Sequence, residues 1–199
     1  MMNISVIGAG YVGLITGIGF AKLNHQVSIV DLNDVLIKNL NENRPPFYEP
    51  ELVDYLNDSN IRNNLFFSTS YQKSINENTD IVFVCVQTPT DPDTGKTKID
   101  YISSVLTELK KIESFNFIIC IKSTIKATLV EKISNEIDLD YKKIIFNPEF
   151  LREGSAFYDF FNPDRIVIGG SDQKGLNQCT ELYESFDCEK IITDSNSSQ

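Results

Sequence analysis

Short apolar runs recur along the chain at residues 4–7, 27–30, 65–67, 81–86, 117–121, 144–146 and 166–168, with a last one at 190–193. Most lack the polar alternation of a half-exposed strand, which predicts strands buried on both faces. Between them lie stretches with helical patterning, at 11–23, 35–41, 52–56, 101–112, 129–137 and 174–186. Buried strands that alternate with helices predict an α/β fold, a doubly wound and mainly parallel sheet with helices on both faces. Two segments read as loops: 44–50 holds three prolines, and 88–98 holds two prolines and Gly95. After 193 the chain is polar with nothing apolar behind it, so a folded unit of 1–194 is expected, with 195–199 as the start of a linker.

The first run leads into Gly8-Ala9-Gly10-Tyr11-Val12-Gly13, a long apolar helix follows, and the next run ends in Asp31. A lone Gly-x-Gly-x-x-Gly is a weak signal. Between a strand and a helix, with an acid closing the following strand, it is the dinucleotide-binding fingerprint of a Rossmann-type fold. Gly8 permits the tight turn, Gly10 lets the backbone approach a pyrophosphate, and Gly13 allows helix and strand to pack closely. The helix N-terminus then faces the anion. Asp31 is placed to accept hydrogen bonds from both hydroxyls of an adenosine ribose. A 2′-phosphate would meet repulsion from Asp31 and Asp34 with no arginine nearby to neutralise it, so the expected cofactor is NAD and not NADP.

Composition narrows the choice further. The 199 residues are ample for one core, and 41% hydrophobic with 23% charged residues is ordinary for a globular chain. A formal net charge of -10, without a basic stripe, argues against nucleic acid as a partner. The longest apolar run is far too short to span a bilayer and no positively charged leader precedes the first strand, so a cytoplasmic protein without a membrane partner is expected. Four cysteines without a Cys-x-x-Cys pair suggest neither a zinc site nor a disulfide framework. Cys85 and Cys120 lie inside strand-like runs and read as small buried hydrophobes. None of the eight tyrosines has a lysine four positions on, which leaves a short-chain dehydrogenase site unsupported. The only histidine, His25, precedes the second strand and reads as a surface turn residue.

Ligands of open parallel sheets sit beyond the carboxyl ends of the strands, and three more polar segments fall there. They are Gln87-Thr88-Pro89-Thr90, Lys122-Ser123-Thr124 and Asn147-Pro148-Glu149-Phe150-Leu151-Arg152-Glu153-Gly154. Glu149 and Glu153 are four apart, which would place both carboxylates on one face of a helix as a candidate acid and base. Asn147 as N-cap, Pro148 at the first helical position and Glu149 in the first turn equally describe an ordinary helix start. Thr88 and Thr124 are candidates that also suit plain turn or capping positions.

Taken together, the glycine turn through Leu14, Tyr48-Glu49-Pro50, Thr88-Pro89-Thr90-Asp91, Lys122-Ser123-Thr124, the run from Asn147 to Ala156 and Pro163-Asp164-Arg165 resemble, in order, the NAD-binding domain of the UDP-glucose 6-dehydrogenases and their sugar-nucleotide dehydrogenase relatives. The resemblance covers the chain and about half of the family's length. It implies oxidation of UDP-glucose at C6 to UDP-glucuronate by two NAD, through an aldehyde and a cysteine-bound thioester. By the same resemblance, Gly8, Gly10, Tyr11, Val12, Gly13, Asp31, Thr88, Thr124 and Glu153 contact the cofactor. Glu149, Phe150, Leu151, Arg152 and Glu153 line the sugar site, and Thr124, Glu149 and Glu153 are catalytic, handling water and protons. Two departures stand out. The family usually continues Lys-Ser-Thr with a proline and a glycine, where this chain has Ile125-Lys126-Ala127-Thr128. The other half of the family's length carries the nucleophilic cysteine, a lysine, an asparagine and the helix of the dimer, so a homodimer is expected only of a full-length enzyme. The alternatives are a stand-alone NAD-binding module without catalysis, or a dehydrogenase for UDP-N-acetylmannosamine or GDP-mannose.

Overall fold

The described residues form eight strands: β1 (Asn3–Ile7), β2 (Gln26–Val30), β3 (Leu65–Ser68), β4 (Ile81–Val84), β5 (Ile118–Ile121), β6 (Ile144–Phe146), β7 (Arg165–Gly169) and β8 (Glu189–Thr193). Their helices are α1 (Tyr11–Lys22), α2 (Asp34–Asn41), α3 (Leu52–Asn57), α4 (Ser59–Arg62), α5 (Tyr71–Ser74), α6 (Asp100–Lys111), α7 (Ala127–Glu136), α8 (Ala156–Phe161) and α9 (Gln173–Leu182). This computed structural model describes residues 1–112 and 116–198. The expected linker residue Gln199 therefore lies outside the described residues.

All eight strands make one sheet in the order β3-β2-β1-β4-β5-β6-β7-β8, with β1 to β6 parallel. The strand order reverses between β1 and β4, the switch point at which such sheets open a crevice. β7 breaks the pattern by running antiparallel to β6, with Phe146 opposite Gly169, and β8 pairs parallel to β7. One antiparallel pair has a consequence for the site: the segment that enters β7 comes back to the carboxyl edge of β6.

The apolar runs form strands because both of their faces are covered. Ile81 and Phe83 of β4 belong to the core under α1, while Val82 and Val84 belong to the core under α6 and α7. Helix α1 is apolar nearly all round, and every residue from Gly13 to Ala21 is buried. Such a helix is stable only between two layers; here α8 packs across its outer side. Phe20 joins the layers, with its ring 5.5 Å from that of Phe83 and 5.2 Å from that of Phe160. Full burial of one such ring contributes roughly 2–3 kcal/mol.

Helices α4, α5 and α8 were not read from the sequence; each is one to two turns long, and among such short helices only α3 was expected. β4 ends at Val84, two residues earlier than the apolar run. Beyond it Cys85 N–H still donates to Ile7 O at 2.8 Å, which holds the chain against the end of β1. His25 is a half-buried turn residue: its Nδ1 accepts from Met2 N–H and its ring meets Phe20 edge-on. The polar tail packs more than its composition suggests, since Asp194 accepts from the amides of Asn196 and Ser197 and Ser198 is buried beside Gly169. No helix among the described residues is long and apolar enough to cross a membrane.

Candidate functional site

At the carboxyl end of β1 the chain turns through Gly8, whose φ of 100° lies in the left-handed region and whose N–H donates to Val30 O at 2.8 Å. The other two glycines of the turn do different work. A Cβ on Gly13 would fall 1.9 Å from the carbonyl oxygen of Gly8, whereas one on Gly10 would meet no atom within 4 Å. Gly13 thus lets α1 pack against the turn, and Gly10 keeps the space above the turn open. The first amides of a helix have no intrahelical acceptor. Here Gly10 brings no capping side chain to them and no acid stands in the first turn. Uncapped amides at the positive end of a helix, beside open space, suit a pyrophosphate.

Asp31 sits across from that turn. Its Oδ2 accepts from Ala9 N–H and its Oδ1 from Asn33 N–H, each at 2.9 Å. A carboxylate offers about four lone-pair sites, so capacity remains for two ribose hydroxyls. The crevice between Asp31 and the turn holds about 570 Å³ and is flanked by Leu36, Gln87 and Tyr101. No lysine or arginine lines it, so a 2′-phosphate finds only the charge of Asp31. The residues present therefore fit NAD. Cys85 also lines the crevice, but burial pushes its thiol up to about 12 and keeps it protonated.

The loops after β4 and β5 are tied together at the same edge. Thr88 Oγ1 donates to Thr124 O at 2.8 Å, and Ser123 Oγ donates to Val86 O at 2.6 Å. Thr124 is left exposed at the rim. Where the family usually has a proline, Lys126 takes φ −61° and ψ 131°, values that a proline would also adopt.

The segment from Asn147 to Ser155 departs from expectation. It is an irregular loop, and the helix begins only at Ala156, so Glu149 and Glu153 do not share a helical face. The reason is where the polar groups go. Asn147 turns inward and caps nothing: its Nδ2 donates to Val167 O at 2.8 Å, and its Oδ1 accepts from Lys122 Nζ at 3.1 Å and Tyr183 Oη at 2.6 Å. Glu149 folds back to accept from Leu151 N–H at 2.5 Å, and Gly154 takes a left-handed φ of 87°. A helix from Pro148 would break all of these contacts.

Tyr11, the first residue of α1, brings this loop onto the cofactor turn. Its hydroxyl donates to Glu49 Oε2 at 2.9 Å and lies 3.1 Å from Arg152 O. Burial, reinforced by the bond to Glu49, pushes the Tyr11 phenol well above its ordinary range, so it stays protonated. Arg152 binds Asp159 through both its Nε and Nη2, the latter at 2.6 Å, and these hydrogen bonds hold the Asp159 carboxyl below its ordinary range. The returning segment before β7 sets Arg165 over the ring of Phe150 at 4.8 Å. Glu149, Phe150, Leu151 and Arg152 line, with Tyr158 and Arg165, a second cavity of about 300 Å³. Thr88, Thr124 and Glu153 line neither cavity, although the Glu153 charge is near enough to act on Tyr11.

Three residues of this arrangement carried no signal of their own in the sequence. Glu49, Lys122 and Tyr183 are buried polar groups, and only the first two fall inside segments that resemble family motifs. Nothing local marks Tyr183, whose partner lies 36 positions away.

An open doubly wound sheet, a glycine turn at its switch point and an acid on the next strand define a dinucleotide-binding Rossmann domain. The chain belongs to the UDP-glucose/GDP-mannose dehydrogenase family, whose NAD-binding-domain model matches residues 2–187. It is similar to a UDP-glucose 6-dehydrogenase of Bacillus subtilis, 34% identical over 100% of this chain and 46% of the relative. A solved UDP-glucose dehydrogenase from Pyrobaculum islandicum superposes with a TM-score of 0.88 at 33% identity, covering 100% of this chain and 48% of that one. A ternary complex of GDP-mannose dehydrogenase from Pseudomonas aeruginosa superposes at 0.89 with 26% identity, covering 99% and 47%. The chain thus spans about half the length of the relatives it matches.

Proposed function

We propose that this chain is the NAD-holding part of a cytoplasmic enzyme that oxidises UDP-glucose at C6 to UDP-glucuronate. The proximity of Arg152 O to the Tyr11 hydroxyl carries the reading, because it sets the sugar-facing loop on the first turn of the cofactor helix. Bound NAD supplies the hydride acceptor, used twice for a four-electron oxidation. In this reading the amides from Gly10 to Gly13, with the flanks of Tyr11 and Val12, hold the pyrophosphate, Asp31 holds the ribose, and Thr88 and Thr124 form the rim nearest the nicotinamide. Glu149, Phe150, Leu151, Arg152 and Glu153 face the sugar. Thr124 and Glu153 orient the water that hydrolyses the thioester, and Glu149 moves protons.

Cys85, Cys120 and Cys179 are buried, and Cys188 lies just before β8, five strands along the sheet from β1. None of them suits the nucleophile, so the capturing thiol belongs to the part of the relatives that this chain does not span, as does a dimer. The higher identity to the UDP-glucose enzymes favours UDP-glucose over GDP-mannose. Calorimetric titration with NAD and NADP tests the cofactor, and NADH formation from UDP-glucose, with and without the second half of a relative, tests the reaction. NAD binding with turnover only in the second mixture supports the proposal. Preference for NADP, or oxidation of GDP-mannose alone, overturns the cofactor or the substrate respectively.

A further inference from the structure

Glu49 is a carboxylate that the cofactor reading leaves unused, yet it is only 3% exposed. It sits in the proline-bounded loop 44–50, and its oxygens take three hydrogen bonds from two other segments. Oε2 accepts from Tyr11 Oη and from Gly154 N–H, and Oε1 accepts from Ala156 N–H, each at 2.9 Å. Among the described residues no lysine or arginine pairs with it. A buried charge is costly unless donors surround it, so these three bonds are what keep Glu49 in place. They also place it between the two segments. Tyr11 opens α1 directly after Gly10, and Gly154 and Ala156 close the loop that carries Glu149 to Glu153.

Elsewhere in the loop Glu149 bonds to Leu151 N–H, Arg152 bonds Asp159 on the helix that follows, and the Arg152 carbonyl meets the Tyr11 hydroxyl directly. Gly154 takes a left-handed φ of 87°, and among the described residues the only one of its bonds that reaches another segment goes to Glu49. The tie from the end of the loop at Gly154 and Ala156 to the cofactor turn runs through Glu49 and the Tyr11 hydroxyl, whose ring packs on Phe47 with centroids 5.1 Å apart.

We infer that Glu49 is a positioning residue that couples the seating of a dinucleotide at the glycine turn to the placement of the Glu149–Glu153 loop, with Tyr11 as the relay. The inference rests on the proposed function and goes beyond it, because it assigns a communicating role to a residue that lines neither cavity. An anion bound by the first amides of α1 damps the motion of Tyr11. The Tyr11 hydroxyl then restrains Glu49, and Glu49 restrains the amides of Gly154 and Ala156.

Amide hydrogen exchange followed by NMR on this chain, with saturating NAD and without it, reads each link. NAD should slow exchange at Gly10 to Gly13 and, through the relay, at Gly154 and Ala156. Glu49→Gln should raise exchange at Gly154 and Ala156 by about tenfold in the absence of NAD, since a neutral amide accepts these bonds more weakly. Tyr11→Phe separates positioning from simple capping. It leaves the Glu49 bonds to the loop intact, so exchange without NAD stays as in the wild type while the slowing by NAD at Gly154 and Ala156 is lost. Equal slowing at those two amides in Tyr11→Phe and wild type overturns the inference. So does protection of the glycine turn in the wild type with no effect at Gly154 or Ala156. Absence of protection at Gly10 to Gly13 overturns the cofactor reading itself, and the coupling with it.

Discussion

The Tyr183 hydroxyl donates to the side-chain oxygen of Asn147 at 2.6 Å, and the buried ammonium of Lys122 donates to the same oxygen at 3.1 Å. Asn147 returns a bond from its Nδ2 to Val167 O. One side chain thus links β7 with the residues that follow β5 and α9, beneath the loop 148–155. Burial lowers the pKa of Lys122, and Asn147 is the neutral partner that offsets part of that cost.

Asn147→Ala should therefore destabilise the domain by about 1–3 kcal/mol, the scale found when buried donors lose their acceptor. For a chain of this size that lowers Tm by roughly 2–12 °C. A thermal melt measures it, and a loss below about 1 kcal/mol would show that water replaces the asparagine.

The two inner glycines of the turn should separate binding from folding. Gly10→Ala meets no protein atom, so stability should fall by no more than the ~1 kcal/mol of a poorer N-cap, while NAD affinity falls at least about tenfold. Gly13→Ala drives its Cβ into Gly8 O and should cost about 3 kcal/mol in stability. Melting curves and NAD titrations on both variants check the contrast. Equal losses of stability would refute the assignment of separate roles.

Asp31→Asn should weaken NAD by about 10- to 100-fold, because hydrogen bonds to a charged acceptor contribute about 1.5–3 kcal/mol. NADP should be affected less, since the change also removes a repulsive charge. The ratio of the two dissociation constants is the measurement, and an unaltered ratio would remove Asp31 from cofactor selection.

Acid should act on the Arg152–Asp159 pair in a defined direction. The Asp159 carboxyl is held low in the folded state, first by the hydrogen bond from Arg152. Its stabilisation is therefore present above the unfolded carboxylate value of about 3.9 and is lost as pH falls through the folded value. Asp159→Asn should be less stable than wild type at pH 7, and the gap should close below about pH 4. Denaturant midpoints at the two pH values test this, and a gap independent of pH would show that the pair adds nothing through its charge.

Much of the cofactor side was legible before any coordinates. The glycine turn works through backbone atoms of consecutive residues, and Asp31 is fixed by the length of one strand-helix-strand unit, so sequence order and geometry nearly coincide there. Helices of one to two turns carry a weak periodic signal, so α8 was missed although α3 was expected. The Glu149 and Glu153 pair misled because spacing of four has meaning only on a helix, and whether residues 147–154 are helical depends on distant groups.

What the residue order decided is the architecture of the glycine-turn crevice, since burial on both faces of each strand and the glycine requirement are local constraints. What only the folded chain decided is the side formed by residues 147–156. Asn147 capped nothing because Val167, Lys122 and Tyr183 competed for it, and Arg165 reached Phe150 because β7 reversed direction. Glu49 found donors 105 and 107 positions away. Buried polar groups take whichever partners the packed core brings within about 3 Å, and that proximity is a property of the tertiary structure and not of the spacing along the chain.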